Sequence, residues 1–208
     1  MPPTPKSNKR DGQKEETRVK LLKATVDSLN ELGFHRTTTP EVCRRAGVAQ
    51  GTFFYHFASK EGVMVALAAY IHNVLLVQTE EYYLSMAGEE STARLSKLLD
   101  YIWETDYTGR YNIALKELGM AARSDQNLAE RIKPDSEANT KNINEGWAKY
   151  LRSANPDVPL ETIKDMVYIF SAGIAPTIGD KDMAYQQSVF EAWKKMILPM
   201  LAVKEENE

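Results

Sequence analysis

The stretch from Gly33 to Lys60 constrains the fold more than any other part of this 208-residue chain. It predicts a helix start at Thr39, Pro40 and Glu41, because threonine caps a helix N-terminus, proline suits the first helical position and an acidic residue suits the first turn. A second short helix is predicted a few residues further on. Two helices this close in the chain must be joined by a tight turn, so the stretch predicts a compact helical unit.

Gly47 is predicted to form that turn. Glycine adopts positive φ without steric cost, as a chain that reverses direction after a helix requires. The two helices are predicted over Pro40–Ala46 and about Gln50–His56, and a glycine-containing turn between two such helices is typical of the helix-turn-helix motif. Because the helices of this motif cross closely, we interpret Cys43, four residues before Gly47, as a small packing residue rather than a reactive thiol.

The charge of the chain is unevenly distributed. Residues 1–62 contain 11 Lys/Arg against 7 Asp/Glu, whereas the remaining chain contains 15 against 22. A basic N-terminal part on an acidic body suits contact with a polyanion through the basic part only, although such an imbalance also arises by chance. The single cysteine excludes an intramolecular disulfide and favours a reducing compartment. Since we find neither an apolar N-terminal segment nor an uninterrupted apolar run of about 20 residues, we expect a cytoplasmic protein without a membrane span.

Helical periodicity continues along the rest of the chain, and no segment alternates with the period of a strand. We therefore expect an all-α fold of about nine helices. Besides the two above, helices are predicted over about residues 14–32, 60–84, 93–107, 110–123, 124–152, 160–178 and 182–201. A kink is expected near Pro134, since proline removes one helical hydrogen bond. Residues 1–13, which contain prolines and basic residues, are predicted to be a disordered basic arm.

Six short segments within residues 17–64 form a recognisable set. They are Gly33-Phe34, Thr37-Thr38-Thr39, Ala46-Gly47-Val48, Gly51-Thr52-Phe53, His56-Phe57 and Ser59-Lys60-Glu61. In combination they resemble the DNA-binding signature of the tetracycline-repressor (TetR) family of bacterial regulators. The resemblance implies an all-helical dimer with a three-helix DNA-binding domain, here residues 14–60. It also implies a larger ligand-binding and dimerisation domain, here residues 61–208, without identifying the ligand.

Two positions depart from the pattern of that family. The residue before the second short helix, usually a capping Ser or Thr, is Ala49, so a backbone N–H at that helix start loses its side-chain partner. The family commonly has a tyrosine at the position of Phe54, and the hydroxyl of that tyrosine often touches phosphate. Tyr55, the next residue, supplies a hydroxyl that points elsewhere. Both departures bear on the DNA contacts rather than on the fold.

The second short helix and the resemblance together predict a set of DNA contacts. Gln50 and Thr52 start that helix, where base edges are reachable, and glutamine can pair bidentately with adenine. Lys60 fits a contact to the phosphate backbone, which positions the protein rather than reading sequence. The full predicted DNA-binding set is Thr39, Arg44, Gln50, Gly51, Thr52, Tyr55, His56 and Lys60.

Aromatic and methionine residues of the C-terminal part are candidates for a pocket that binds an amphipathic or aromatic small molecule. Three of them recur at helical spacing, and the others come from helices expected nearby. The predicted ligand-binding set is Trp103, Tyr107, Tyr111, Met120, Trp147, Met166 and Phe170. Such residues also form the core of any helical domain, and that alternative stays open.

The last two predicted helices are apolar on more than one face, which indicates packing partners on two sides. Together with the resemblance, this predicts a four-helix dimer interface made from two copies of the pair. The predicted interface consists of Phe170, Gly173, Ile174, Val189, Trp193 and Met196. The alternative is that the additional apolar face belongs to the core of a single chain.

The sequence contains no recognisable catalytic or metal-binding pattern. Its three histidines lack ligand spacing, and it has neither a glycine-rich phosphate loop nor a G-x-S-x-G nucleophile turn. We therefore expect no cofactor and no enzymatic activity. The expected function is a ligand-responsive transcriptional repressor that binds a pseudo-palindromic double-stranded DNA operator as a homodimer and is released by a small molecule. The alternative is a helical small-molecule-binding or protein-interaction module whose helix-turn-helix no longer binds DNA.

Overall fold

The computed structural model describes residues 9–174 and 183–204; the side chains of residues 9, 10, 106–108, 172, 174 and 183 lie outside this description. Within these ranges the chain forms nine α-helices and a 3-10 turn over Leu198–Met200. The helices are α1 (Lys9–Arg36), α2 (Thr39–Ala46), α3 (Gln50–His56), α4 (Lys60–Ser85), α5 (Ser91–Thr108), α6 (Arg110–Ala122), α7 (Gln126–Tyr150), α8 (Leu160–Ile174) and α9 (Met183–Ile197). The predicted all-α class is confirmed.

The chain forms two compact units. The head unit contains the described residues of Met1–Tyr70 and Ala114–Lys133, and the body unit contains those of Ile71–Ile113 and Pro134–Glu208. This division differs from the predicted boundary after residue 60, because most of α6 and the start of α7 join the head unit. Three helices, α4, α6 and α7, run from one unit into the other without interruption, so the boundary falls within helices rather than in a linker.

Helix α1 is longer than predicted. It begins at Lys9, so residues 9–13 of the predicted disordered arm are helical, and residues 1–8 lie outside the described part. The helix buries Leu21, Leu22 and Leu29 in the core of the head unit. It kinks at Gly33, whose φ of 75° and ψ of 173° form a backbone conformation that is essentially restricted to glycine.

Helix α2 is capped one residue earlier than predicted. Its cap is Thr38 rather than Thr39, because Thr38 has the extended backbone of a capping residue and its side-chain oxygen accepts a hydrogen bond from the Glu41 N–H at 3.4 Å. Gly47 ends the helix with a φ of 65°, as predicted. Cys43 is buried, which agrees with its interpretation as a packing residue, and burial raises the pKa of its thiol.

Aromatic stacking dominates the core of the body unit. The Trp103 ring on α5 stacks on Phe190 of α9 at 4.6 Å between centroids, and the Phe170 ring on α8 stacks on Trp193 of α9 at 4.2 Å. Pairs of this kind contribute about 0.5–1.5 kcal/mol each beyond the area that they bury. The stacks therefore bind α5, α8 and α9 into one core.

A two-stranded sheet, which the sequence pattern did not predict, pairs the segment after α7 with the segment after the 3-10 turn. Strand β1 (Leu151–Ser153) follows α7, and strand β2 (Leu201–Val203) follows the 3-10 turn. The two strands pair antiparallel, with Arg152 opposite Ala202. Three residues are too few for an alternating pattern to be recognised, which explains why the sequence did not reveal them.

Helix α4 is the one helix in the described ranges that would be long and apolar enough to cross a membrane by length and composition. A core helix passes the same test. Val63, Met64 and Leu67 of α4 are buried in the head unit, and Ile71 and Tyr83 are buried in the body unit. Buried residues make up 28% of the most apolar 18-residue window of the helix.

Candidate nucleic-acid interface

Helix α3 has one buried face and one exposed face. Phe53 is fully buried, and its ring lies 5.7 Å from the ring of Phe57, the residue that follows the helix. Because residues three and four apart share a helix face, this anchoring directs another group of side chains away from the core. The exposed group consists of Gln50, Gly51, Phe54 and Tyr55. Helix α3 thus presents two polar or small residues and two aromatic rings to solvent.

The start of α3 lacks a side-chain cap, as predicted. Ala49 holds the extended backbone of a capping residue, and its carbonyl accepts hydrogen bonds from the N–H groups of Thr52 and Phe53 at 3.0 and 3.3 Å. Its methyl side chain cannot accept a further hydrogen bond from the first turn. The N-terminal end of α3 is consequently free of a capping side chain.

A four-residue ion-pair network links α1 to α2. Glu41 accepts hydrogen bonds from the guanidinium groups of both Arg44 and Arg45 at 2.6–2.8 Å, and Arg45 also donates to Glu31 of α1 at 2.7 Å. The hydrogen bonds from Arg44 and then from Arg45 lower the pKa of Glu41 to about 2. Arg44, one of the predicted DNA contacts, is therefore exposed but pre-oriented by Glu41. The acidic residue three positions earlier is the sequence signal that could have revealed this pairing.

Lys60, another predicted contact, is partly enclosed. Its ammonium donates a hydrogen bond to the Phe34 carbonyl at 2.7 Å and lies 4.2 Å from the centroid of the Phe34 ring. Burial lowers the pKa of Lys60. The Phe34 N–H in turn donates to a carboxylate oxygen of Glu117 on α6 at 3.3 Å. The peptide groups of Phe34 thus join the end of α1 to the start of α4 and to α6, and no local sequence signal could have indicated Glu117.

Basic side chains of α1 lie beside the end of α3. The Lys14 ammonium is 5.1 Å from the centroid of the Tyr55 ring, and the Arg18 guanidinium is 5.8 Å from that of Phe57. Burial lowers the pKa of His56, and the positive charges of Lys14 and Arg18 lower it further. Sequence reasoning omitted Lys14 and Arg18 from the site, although their i, i+4 spacing places them on one face of α1.

All eight predicted DNA contacts lie in the head unit, on α2, on α3 and at the first residue of α4. Gln50, Gly51 and Tyr55 are exposed, whereas Thr52 and His56 are half-buried. Their contacts with DNA stay predictions.

The predicted ligand-binding residues do not all lie together, although Trp103, Trp147 and Phe170 share the core of the body unit. Trp103 and Trp147 are buried in the body unit, while Met166 is exposed. Met120 belongs to the head unit and is also exposed. Tyr111 is half-buried, and the side chain of Tyr107 lies outside the described part. Trp103 and Phe170 have stacking partners within the core, so the described contacts account for them as core residues.

Two of the predicted dimer residues, Phe170 and Trp193, stack on each other inside the body unit rather than facing outwards. Gly173 and Met196 are exposed, Val189 is half-buried, and the side chain of Ile174 lies outside the described part. Exposed and half-buried residues that are mostly apolar instead form one stripe on each helix. The α8–α9 stripes consist of Met166, Ile169 and Gly173 on α8, and Tyr185, Val189, Ala192 and Met196 on α9. Ile169, which is 71% exposed, and Tyr185 were missing from the prediction, although both fall at i, i+3 or i+4 spacing.

The fold and the exposed face of α3 define a class of protein: an all-α helix-turn-helix protein with a separate helical body. Residues 21–67 match the model of a family described as bacterial regulatory proteins, tetR family. The uncharacterized HTH-type transcriptional regulator Rv2912c of Mycobacterium tuberculosis is 32% identical over 120 residues, which are 58% of this chain and 60% of that protein. The chain thus aligns with less than two thirds of the length of this relative.

Two further comparisons extend over most of the chain. The HTH-type transcriptional regulator UidR of Escherichia coli is 25% identical over 194 residues, which cover 87% of this chain and 91% of UidR. The crystal structure of a TetR family transcription regulator from Marinobacter aquaeolei superposes with a TM-score of 0.61 at 13% identity, covering 93% of this chain and all of that one. The helix-turn-helix part of the chain is thus similar to that of the tetR family, and the fold of the described residues is that of a solved TetR family regulator.

Proposed function

We propose that this protein is a transcriptional repressor that binds a pseudo-palindromic DNA operator as a homodimer and is released by a small molecule. The observation that carries this proposal is the exposed face of α3, which is held outward by the buried Phe53 and flanked by basic side chains of α1. An α-helix fits the major groove of B-DNA, which is about 12 Å wide. A regulator of this kind acts in the cytoplasm, where its operator lies.

Base reading and backbone contacts fall to different residues of the head unit. Gln50 stands at the first position of α3, and its amide can pair bidentately with N6 and N7 of an adenine. Arg44, Lys60 and Lys14 carry the positive charge that would meet phosphates on either side of the groove. Because Glu41 and the Phe34 carbonyl already orient Arg44 and Lys60, these two side chains lose less conformational entropy on binding.

The α8–α9 stripes support the homodimer. A C2 dimer uses the same surface on both subunits, and two copies of the stripes would cover exposed apolar side chains such as Ile169 and Met196. The two-fold axis of such a dimer would relate the two α3 helices, and it would thereby impose half-site symmetry on the operator.

The effector is an amphipathic or aromatic small molecule that binds the body unit. Its binding can release DNA only to the extent that it prefers the conformation that does not bind the operator. We include the predicted ligand-binding residues in this proposal as contacts of the effector. Those that are buried would have to repack around the bound effector.

A mobility-shift experiment with the DNA that flanks the gene of this protein tests the proposal. The wild-type chain should shift that DNA in the presence of unlabelled nonspecific competitor. Gln50→Ala should lose base preference at one position of each half-site when binding sites are selected from a random library. Gln187→Ala, on the exposed surface of α9, is the matched control and should select the wild-type motif. If the wild-type chain selects no motif at all, the repressor proposal is wrong, and the alternative of a helical binding module without DNA-binding function takes its place.

A further inference from the structure

Phe54 is a large apolar side chain on the exposed face of α3, and 54% of its surface is accessible to solvent. We propose that Phe54 is a specificity-determining residue that reads the C5-methyl group of a thymine in the operator. This inference rests on the proposed DNA-binding function. It assigns a chemical role to a position at which family resemblance suggests only the loss of a hydroxyl.

The Phe54 ring contacts the ring of its buried neighbour, Phe53. Phe53, the neighbouring residue, is fully buried, and the two rings meet edge to face at 5.5 Å between centroids and 82° between planes. Because Phe53 anchors α3 in the core, its neighbour must leave the helix on another side. The exposed ring therefore has a defined direction before any DNA is bound, which reduces the entropy lost on binding.

The surroundings of Phe54 leave its ring uncovered. Side chains of a helix tilt towards its N-terminus, so the Phe54 side chain leans towards the turn that contains Gln50. Gly51 has no side chain, and apart from its two chain neighbours and the nearby backbone of α3, no heavy atom of the described residues lies within 4 Å of a Cβ placed there. The ring is consequently open at the end of α3 where base edges are within reach.

The chemistry of the ring restricts what it can recognise. A phenyl ring has no group that donates or accepts a conventional hydrogen bond, so it cannot read the amino, carbonyl or N7 groups of the bases. Among the four bases, only thymine presents a methyl group in the major groove. Contact with that methyl group removes apolar surface of both partners from water, which is the interaction that an exposed phenyl ring can make favourably.

The spacing of Phe54 and Gln50 locates the thymine. These residues are four apart on α3, so their Cβ atoms are separated by about 5–6 Å. Successive bases of one strand rise by about 3.4 Å. The thymine read by Phe54 should therefore lie one or two base pairs from the base pair that Gln50 reads.

Single replacement of each operator thymine by deoxyuridine tests this inference, since deoxyuridine lacks only the methyl group. The probe is the duplex selected by the wild-type chain from a random library. Replacement of the correct thymine should weaken wild-type binding about three- to fourfold for one half-site, and about tenfold when both half-sites are changed. Phe54→Ala should bind the thymine and deoxyuridine duplexes equally at that position. Leu84→Ala, which truncates an exposed apolar side chain of α4, should retain the wild-type difference.

The outcomes separate the inference from the function on which it rests. Wild-type binding that is insensitive to every deoxyuridine replacement overturns the inference, as does a Phe54→Ala variant that keeps the wild-type sensitivity. If Phe54→Ala lowers the affinity for selected and unrelated duplexes equally, the inference is also overturned, because the ring would then contact sugar and phosphate. Failure of the wild-type chain to select any duplex overturns the DNA-binding function itself. An unfolding temperature of Phe54→Ala equal to that of the wild-type chain verifies that the substitution leaves the fold intact.

Discussion

Replacing Lys60 by methionine should destabilise the head unit, because Lys60 joins the start of α4 to the end of α1. Its ammonium donates to the Phe34 carbonyl at 2.7 Å and lies 4.2 Å from the centroid of the Phe34 ring. Methionine is unbranched and of similar length, so the variant keeps much of the packing of the aliphatic stem. It loses the positive charge and the hydrogen-bond donor.

The expected loss is about 2 kcal/mol in the free energy of unfolding. A hydrogen bond from a charged donor contributes about 1.5–3 kcal/mol, and a cation–π contact at an exposed site adds about 0.5–1 kcal/mol. Burial of the ammonium offsets part of this gain, in agreement with the lowered pKa of Lys60. For a chain of this size, such a loss lowers the unfolding temperature by roughly 4–8 °C.

Thermal unfolding followed by circular dichroism measures this effect. Lys23→Met is the matched control, since Lys23 is an exposed lysine of α1 and the substitution removes the same charge. The control should change the free energy of unfolding by less than about 0.5 kcal/mol. If Lys60→Met and Lys23→Met unfold at the same temperature, the hydrogen bond to Phe34 contributes nothing and the reasoning is wrong.

The same variant tests whether Lys60 also contacts phosphate. An ammonium group has three donors, and the Phe34 carbonyl takes one of them. If another donor reaches a phosphate, Lys60→Met should flatten the dependence of operator affinity on salt by about one unit of logarithmic slope. An unchanged slope together with reduced stability would assign Lys60 a structural role alone.

Three further perturbations address the kink, the ion-pair network and the dimer. Gly33→Ala should destabilise the head unit by about 1–3 kcal/mol in denaturant titrations, because φ of 75° strains alanine and its Cβ would lie 3.3 Å from Glu117. Glu41 has a folded pKa of about 2 against an ordinary value of 4.5, so its stabilisation is present above pH 4.5 and is lost as the pH falls through 2. Glu41→Gln should therefore be less stable than wild type at pH 7 in urea titrations, and the difference should shrink towards pH 2; a constant difference would contradict this. Ile169→Asp should convert a dimer into monomers in analytical ultracentrifugation, and a variant that remains dimeric would exclude the α8–α9 stripes from the interface.

Local chemistry made much of the head unit predictable. The bounds of α3 and the positive φ of Gly47 depend on residues within one or two turns, and sequence reasoning placed both correctly. The buried position of Cys43 followed from its spacing to Gly47. The capping residue of α2 was misplaced by one position, because Thr38 and Thr39 have the same side chain and only the backbone conformation distinguishes them.

The candidate sites were less predictable, because they depend on contacts between residues far apart in the chain. Apolar residues of α8 and α9 were expected to line a dimer interface, yet Phe170 and Trp193 stack on each other in the core. Helical periodicity places a residue on a face of its helix but does not say which neighbour covers that face. The packing of the core decides which apolar residues of α8 and α9 stay exposed, and Ile169 is one of them.

The sequence by itself determined the helical class and the helix-turn-helix, since these follow from local propensities and from spacing along one helix. Only the tertiary structure revealed that the Phe34 peptide binds Lys60 and Glu117, the latter 83 residues away in the chain. It likewise placed Lys14 beside Tyr55 at the end of α3. The physical reason is that charge and hydrogen-bonding capacity are properties of a residue, whereas the partner that satisfies them is decided by how the helices pack.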